Sequence, residues 1–349
     1  MRIAIIDDTL LVAEGLRRIV EESGDHQVIW VAHNGVDGVD LCQKDTPDLV
    51  LMDLIMPVME GVEATRLIMA GSPCPILIVS TNIKKYAPQV FSAMGFGALD
   101  AVNTPSINQD GSISGKEFFL SKINTIAKLT AEKCAIKPRP HSSRILTSSR
   151  VPSHSNNPLI AIGCSAGGPQ ALQEILNALP AGFSVPIIVI QHIDKLFSND
   201  MGRWLNMHCA LEVRIANDYD TPQSGVILLG GTNDHLVFNC AQQLEYTKYP
   251  TELVYRPSVD VFFQSVLKYW QGDVTAILLT GMGRDGSQGL LDCRERGFYT
   301  IAQDEATSAV YGMPKAAAKL NAAVDIMPLN QIAKKLLDLY CPSACEIRP

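Results

Sequence analysis

Leu159-Ile-Ala-Ile-Gly163-Cys-Ser165-Ala-Gly167-Gly168-Pro169 is an unbroken apolar run, then a turn crowded with glycine, then a proline where a helix can begin. An apolar run without polar alternation is a strand covered on both faces, and proline suits a first helical turn, where its missing N–H has no intrahelical partner to lose. Strand, tight turn and helix in succession predict a parallel sheet with helices on both sides. The same alternation continues outward. Pro186–Gln191, Leu211–Ile215, Gly225–Leu229 and Thr275–Thr280 are further strand candidates, and Pro169–Leu179, Ser198–Met207 and Ser287–Arg296 read as helices. A hairpin around Val237–Tyr246 is the expected exception to parallel order.

The turn has the spacing G-x-S-x-G. Glycines on both sides permit a cramped bend that pushes the Ser165 hydroxyl out at the strand end, beside a helix N-terminus. A serine hydroxyl is a poor nucleophile without a base. His192 ends the next strand, and Asp285 follows Thr275–Thr280 in Gly281-Met-Gly-Arg-Asp285-Gly286. Carboxyl ends of neighbouring parallel strands share one cleft, so Ser165, His192 and Asp285 are a candidate triad. Each has a plainer role: a chance glycine turn, a satisfied core histidine, a cap for the helix starting near Ser287. Cys164 is a rival nucleophile, but its side chain should point off the turn into packing. His26, His33, His208 and His235 are read as structural or surface residues. Gly163–Gly168 has P-loop glycine spacing, but Pro169-Gln170 stands where Lys-Ser/Thr is required. Gly281-x-Gly283-x-x-Gly286 fits a dinucleotide fingerprint, with Asp304 at roughly the right distance, yet it puts the Asp285 carboxylate where a pyrophosphate would sit.

The first 125 residues repeat the α/β pattern: Ile3–Ile6, Val28–Val31, Leu49–Met52, Ile76–Val79 and Ala98–Val102 are strands, with amphipathic segments such as Leu10–Glu22 between them. Five such units fit flavodoxin-like winding. Asp7 and Asp8 end the first strand and Asp53 the third; three carboxylates on one rim repel unless a hard cation such as Mg²⁺ neutralises them. An Asp beside that ion can attack a phosphoryl donor. Strand-end Asp residues also cap helices, the plainer reading.

Between the halves, residues 128–158 carry six basic residues, a single acid at Glu132, six serines and four prolines. Such a segment buries too little apolar surface to offset its ordering entropy. The expected domains are therefore 1–125, a basic Ser/Pro tether over 126–157, and 158–349. The 349-residue length agrees with two domains at roughly 150 residues each. With 47% apolar and 19% charged residues the chain supports full cores. A net charge of −7 argues against nucleic acid as the main partner. Nine scattered cysteines read as reduced thiols. The uncharged segment 175–193 is broken by Pro180, Gly182 and Pro186, so no membrane insertion is expected, nor a signal peptide; the expected compartment is the cytoplasm.

Asp7-Asp8, Leu51-Met-Asp53-Leu-Ile-Met-Pro57 with Gly61, Ser80 and Gly97-Ala-Leu-Asp100…Pro105 resemble the receiver domain of two-component response regulators. That resemblance implies phosphorylation of Asp53 by a histidine kinase, Mg²⁺ held by Asp7, Asp8, Asp53 and the Ile55 carbonyl, and a switch hydroxyl at Ser80. The family carries Lys where this chain has Thr104, which removes an ion pair to the phosphate and alters the switch. Gly163-x-Ser165-x-Gly-Gly, Gln191-His192, Arg256-Pro-Ser-Val-Asp260, Thr280-Gly-Met-Gly-Arg-Asp-Gly286 and Ala302-Gln-Asp-Glu-Ala-Thr307…Gly312-Met-Pro314 resemble the catalytic domain of the chemotaxis protein-glutamate methylesterases. There the positions of Ser165, His192 and Asp285 form the triad, the Met282 amide serves the oxyanion, and no cofactor takes part in hydrolysis. Thr104-Pro105 and Ile68-Met-Ala-Gly-Ser-Pro-Cys74 are most similar to the Wsp-type surface-sensing subgroup. The implied partners are methyl-accepting chemoreceptors as substrate and a histidine kinase as phosphodonor. Phosphorylation is expected to lift a receiver that blocks the cleft. The competing readings are a non-catalytic adaptor that binds receptors and competes for kinase phosphate, and a nicotinamide-dependent enzyme built on Gly281–Gly286.

Overall fold

A computed structural model describes residues 1–107, 113–131, 157–253 and 255–341. The chain divides into two compact units, Met1–Cys134 and Ala135–Pro349. The first runs β1 (Arg2–Ile6), α1 (Leu10–Glu22), β2 (Gln27–Ala32), α2 (Gly35–Lys44), β3 (Leu49–Met52), α3 (Gly61–Gly71), β4 (Ile76–Ser80), α4 (Ala87–Gly95) and β5 (Asp100–Asn103). A small antiparallel pair, β6 (Ser106–Ile107) and β7 (Ile113–Ser114), precedes α5 (Lys116–Ala131). The sheet is parallel in the order β2-β1-β3-β4-β5. Its strands read Leu-Val-Leu-Met and Ile-Leu-Ile-Val because both faces are covered; every residue of β3 and β4 is buried. Leu16, Ile19 and Val20 of α1 pack with Phe119, Ile123 and Ile126 of α5 against one face.

The second unit runs β8 (Leu159–Cys164), α6 (Gly168–Asn177), β9 (Ile187–Gln191), α7 (Lys195–Asn206), β10 (Glu212–Ile215), β11 (Val226–Leu229), β12 (His235–Phe238), β13 (Leu244–Thr247), α8 (Val259–Tyr269), β14 (Val274–Leu278), α9 (Ser287–Glu295), β15 (Tyr299–Gln303), α10 (Met313–Lys319), β16 (Asp325–Met327) and α11 (Leu329–Tyr340). Seven parallel strands lie in the order β10-β11-β9-β8-β14-β15-β16, and β12 and β13 form the expected hairpin. Phe262, Phe263 and Val266 of α8 pack with Phe238 of the hairpin and Trp270 in one core.

Two expectations change. The helix α5 continues to Ala131, past the expected start of the tether at 126, because Ile123, Ile126 and Leu129 keep a helical apolar spacing onto the core. The rest of the proposed tether, 132–156, lies outside the described residues. Two strands, β15 and β16, extend the sheet beyond the last one expected.

Candidate active site and acidic pocket

In each sheet the winding reverses beside the first strand, between β1 and β3 and between β8 and β14. Neighbouring loops diverge there, leaving a crevice at the strands' carboxyl ends. Both groups of candidate residues lie at these two places.

In the second unit, β8 and β9 pair in register up to Cys164 opposite Gln191. One further step places Ser165 alongside His192, and the His192 N–H still bonds the Cys164 carbonyl at 3.0 Å. From β14, Asp285 reaches across to accept from His192 Nε2 at 2.7 Å. A carboxylate partner makes Nε2 the N–H bearer, so the lone pair lies on Nδ1. That atom is buried and has no hydrogen-bond partner among the described residues. Nδ1 is thus an unfilled buried acceptor at the strand end next to that of Ser165, able to take a proton.

The carboxylate of Asp285 is itself held by the N-terminus of α8. It accepts from Ser258 Oγ at 2.8 Å and from the N–H groups of Val259 at 2.6 Å and Asp260 at 3.1 Å. It thus caps a different helix from α9, which it precedes. Burial alone would push the Asp285 carboxyl up; the bonds from His192, Val259 and Ser258 outweigh it and hold the group below the usual carboxylate range. The neighbouring Asp260, which caps Gly289 N at 2.7 Å, is pushed up to about 7 by burial and by the Asp285 charge. The serine turn is braced from β14: Ser165 N–H donates to Thr280 C=O at 3.0 Å, and Thr280 Oγ1 donates to Ala166 C=O at 2.8 Å. Gly167 turns the chain at φ +81°, where a Cβ would lie 2.7 Å from that of Ala309.

Two peptides adjoining Ser165 and Gly281 have fixed directions. The Gly281 carbonyl accepts from the N–H groups of Gly312 at 3.1 Å and Met313 at 2.8 Å, and the Ser165 carbonyl accepts from Gly168 N at 2.8 Å and Gln191 Nε2 at 2.9 Å. In a trans peptide the following N–H points the opposite way. The amides so aimed are Met282 and Ala166, and among the described residues neither donates to any group. Buried N–H groups are rarely left unpaired, and such a pair suits a developing negative charge.

Cys164 is fully buried with Sγ 3.9 Å from the Ile190 carbonyl, and burial pushes its thiol up, so it is no rival nucleophile. His235 is buried and satisfied on both ring nitrogens, by Ser258 N and the Pro250 carbonyl. The dinucleotide reading is disfavoured because the glycine turn carries a buried carboxylate, Asp285, committed to His192 and the start of α8. Sequence reading gave no role to Ser258, Asp260 or Tyr255; the signal for the first was a Ser-Val-Asp start to a helix.

In the first unit, carboxylate oxygens of Asp7, Asp8 and Asp53 lie within 4.8 Å of one another. Burial, then the neighbouring carboxylates, pushes Asp53 up to about 6; burial is also the main reason Asp7 rises to about 6, against the bond from Thr9 N. Crowded, partly buried oxygen donors fit a hard divalent ion. Ser80, buried, and Thr104 are joined on adjacent strand ends by Thr104 N–H to Ser80 C=O at 2.9 Å.

Comparison with known proteins agrees with both halves. The CheB methylesterase family profile matches residues 160–336, and the response regulator receiver domain profile matches residues 3–110. The chain is 47% identical to a protein-glutamate methylesterase/protein-glutamine glutaminase of Cupriavidus pinatubonensis over 100% of this chain and 99% of that one. It is 50% identical to a protein of the same description from Pseudomonas fluorescens, over 97% and 99%. The crystal structure of the Thermotoga maritima CheB methylesterase catalytic domain superimposes with a TM-score of 0.50 at 30% identity, covering 52% of this chain and 97% of that domain.

Proposed function

Because the chain belongs to the CheB methylesterase family and carries a response regulator receiver domain, we propose that it is a phosphorylation-regulated serine hydrolase of glutamate methyl esters on chemoreceptors. The observation that carries the reading is the 2.7 Å His192–Asp285 bond, which leaves Nδ1 buried and unpartnered at the strand end next to that of Ser165. Ser165 Oγ attacks the ester carbonyl while Nδ1 takes its proton. The tetrahedral oxyanion is met by the Met282 and Ala166 N–H groups, each such donor being worth roughly 3–4 kcal/mol. The C–OCH₃ bond then breaks, and the methoxide leaves as methanol with the proton from Nδ1. Water, deprotonated by the same nitrogen, attacks the acyl-serine and frees Ser165 and a glutamate side chain. Asp285 keeps the proton on Nε2 and stabilises the imidazolium. A primary amide passes through an equivalent intermediate and releases ammonia, so receptor glutamines are the second substrate.

Asp53 is the proposed phosphate acceptor from a histidine kinase, with Asp7, Asp8 and the Ile55 carbonyl holding Mg²⁺ and Ser80 and Thr104 sensing the phosphate. Bound there, the ion would supply charge neutralisation for the transferred phosphoryl group. No described helix is long and apolar enough to cross a membrane. Hydrolysis needs no cofactor in this scheme. Methanol release from methylated receptor membranes tests the reading: wild-type chain with a phosphodonor releases methanol and Ser165→Ala does not. Retained release in Ser165→Ala removes the nucleophile, and binding without release in the wild type leaves only the adaptor.

A further inference from the structure

The aromatic ring of Tyr255 lies flat on the His192 imidazole, with centroids 4.1 Å apart and 14° between planes. Its hydroxyl donates to the Met282 carbonyl at 3.0 Å. One side chain therefore touches both the ring that moves the proton and the turn that supplies an oxyanion donor. The turn is shaped for it: Gly283 has φ +84°, and a Cβ there would lie 2.4 Å from the Tyr255 hydroxyl. The segment carrying Tyr255 is pinned in turn. His235, fully buried, accepts from Ser258 N at 3.1 Å and donates to the Pro250 carbonyl at 3.0 Å, so one imidazole fixes the chain on both sides of Tyr255.

From this arrangement we infer that Tyr255 is a positioning residue for the hydrolysis, holding the His192 ring by stacking and the Met282 turn by a hydrogen bond. The bond from Nε2 to Asp285 fixes one end of the imidazole but leaves the ring free to tilt about that axis. A flat aromatic neighbour removes that freedom and shuts water off one face, fixing the direction of Nδ1. The hydroxyl is spent on the Met282 carbonyl, so it is no acid or base in the reaction. Because it fixes the peptide that follows Met282, while Gly312 and Met313 fix the one before, the Met282 residue is clamped from both sides.

This inference rests on His192 as the base and Met282 as an oxyanion donor, and its test separates the two levels. Full-length Tyr255→Phe and Tyr255→Leu are assayed for methanol release with a phosphodonor, rates being counted per Ser165 labelled by a fluorophosphonate. The Phe variant keeps the stack and loses one neutral hydrogen bond, so its kcat falls about 5-fold. The Leu variant loses the stack as well and falls a further ~2- to 12-fold. KM stays within about 2-fold in both, because neither contact changes between ground-state binding partners. Equal kcat in Phe and Leu, a wild-type kcat in Phe, or a loss carried by KM overturns the inference. Should Leu fail to fold, Tyr255→Met replaces it under the same criteria, and the Phe result decides alone if both fail. A wild-type chain without methanol release refutes the esterase reading instead, whatever the variants do.

Discussion

Gly281→Ala perturbs the cleft through a single methyl group. Gly281 needs no unusual backbone angle, so the effect is one of space alone. A Cβ there would lie 2.7 Å from Ser165 Cβ and 2.3 Å from Met313 Sδ, against 3.4 Å or more for ordinary contact. Met313 is fully buried and cannot swing into solvent. The serine turn and the Met313 chain must therefore separate from Gly281 by amounts on the order of 1 Å. Overpacking of this size costs about 1–3 kcal/mol of stability, and a 1 Å misplacement of a reacting group costs on the order of 10²-fold in rate. We expect kcat for methanol release to fall ~10²-fold with KM little changed, and the rate of fluorophosphonate labelling of Ser165 to fall in parallel. Gly182→Ala, whose Cβ would meet nothing within 4 Å, is the control and keeps wild-type activity. A Gly281→Ala chain with a wild-type melting temperature and kcat within about 3-fold would refute the packing argument, because it would show the added methyl was absorbed without moving Ser165.

Three further outcomes follow from the same geometry. Asp285→Asn keeps the shape but presents an N–H to one of the groups that now donate to the carboxylate, so the His192 tautomer is lost and kcat falls roughly 10⁴-fold; a loss under 10-fold in a pH–rate series would argue against the orienting role. Thr280→Val removes the hydroxyl that donates to Ala166 C=O and accepts from Val310 N, lowering stability by about 1–3 kcal/mol in denaturant titrations. In the receiver, Asp7 and Asp53 rise to about 6 from 3.8 unfolded, so their ionisation destabilises the fold; the penalty is absent below about pH 4 and complete above about pH 6. Mg²⁺ should therefore raise the melting temperature more at pH 7.5 than at pH 5.5, where it competes with protons, and Asp53→Asn should stabilise the metal-free chain at pH 7.5 but not at pH 4. Equal metal effects at both pH values would count against the acidic site.

Much of the architecture was readable because it rests on local pattern. The helix Leu10–Glu22 shows its own apolar stripe, and β3 and β8 are continuous apolar runs that only a sheet covered on both faces accommodates. The strand-end positions of Ser165, His192 and Asp285 were legible for the same reason, since parallel winding sends those ends to one rim. What the sequence concealed is long-range. Nothing local to Asp285 announces that its amide partners come from α8, and nothing near His192 announces a tyrosine 63 positions later in the chain as its stacking partner. The strand β16 is three residues long and half-exposed at Ile326, too short for any periodicity to register. The expected domain boundary at 125 falls inside α5 because Lys128, Lys133 and Lys137 give the segment a linker's composition, whereas Ile126 and Leu129 keep an apolar spacing that packs on the core.

Cys164 sits one residue before Ser165 with its sulfur sealed inside the sheet. Cys164 closes the strand with its side chain packed inside and Ser165 opens the turn beyond it, so the softer nucleophile is the one locked away. Iodoacetamide should therefore reach Cys164 only slowly in the folded chain.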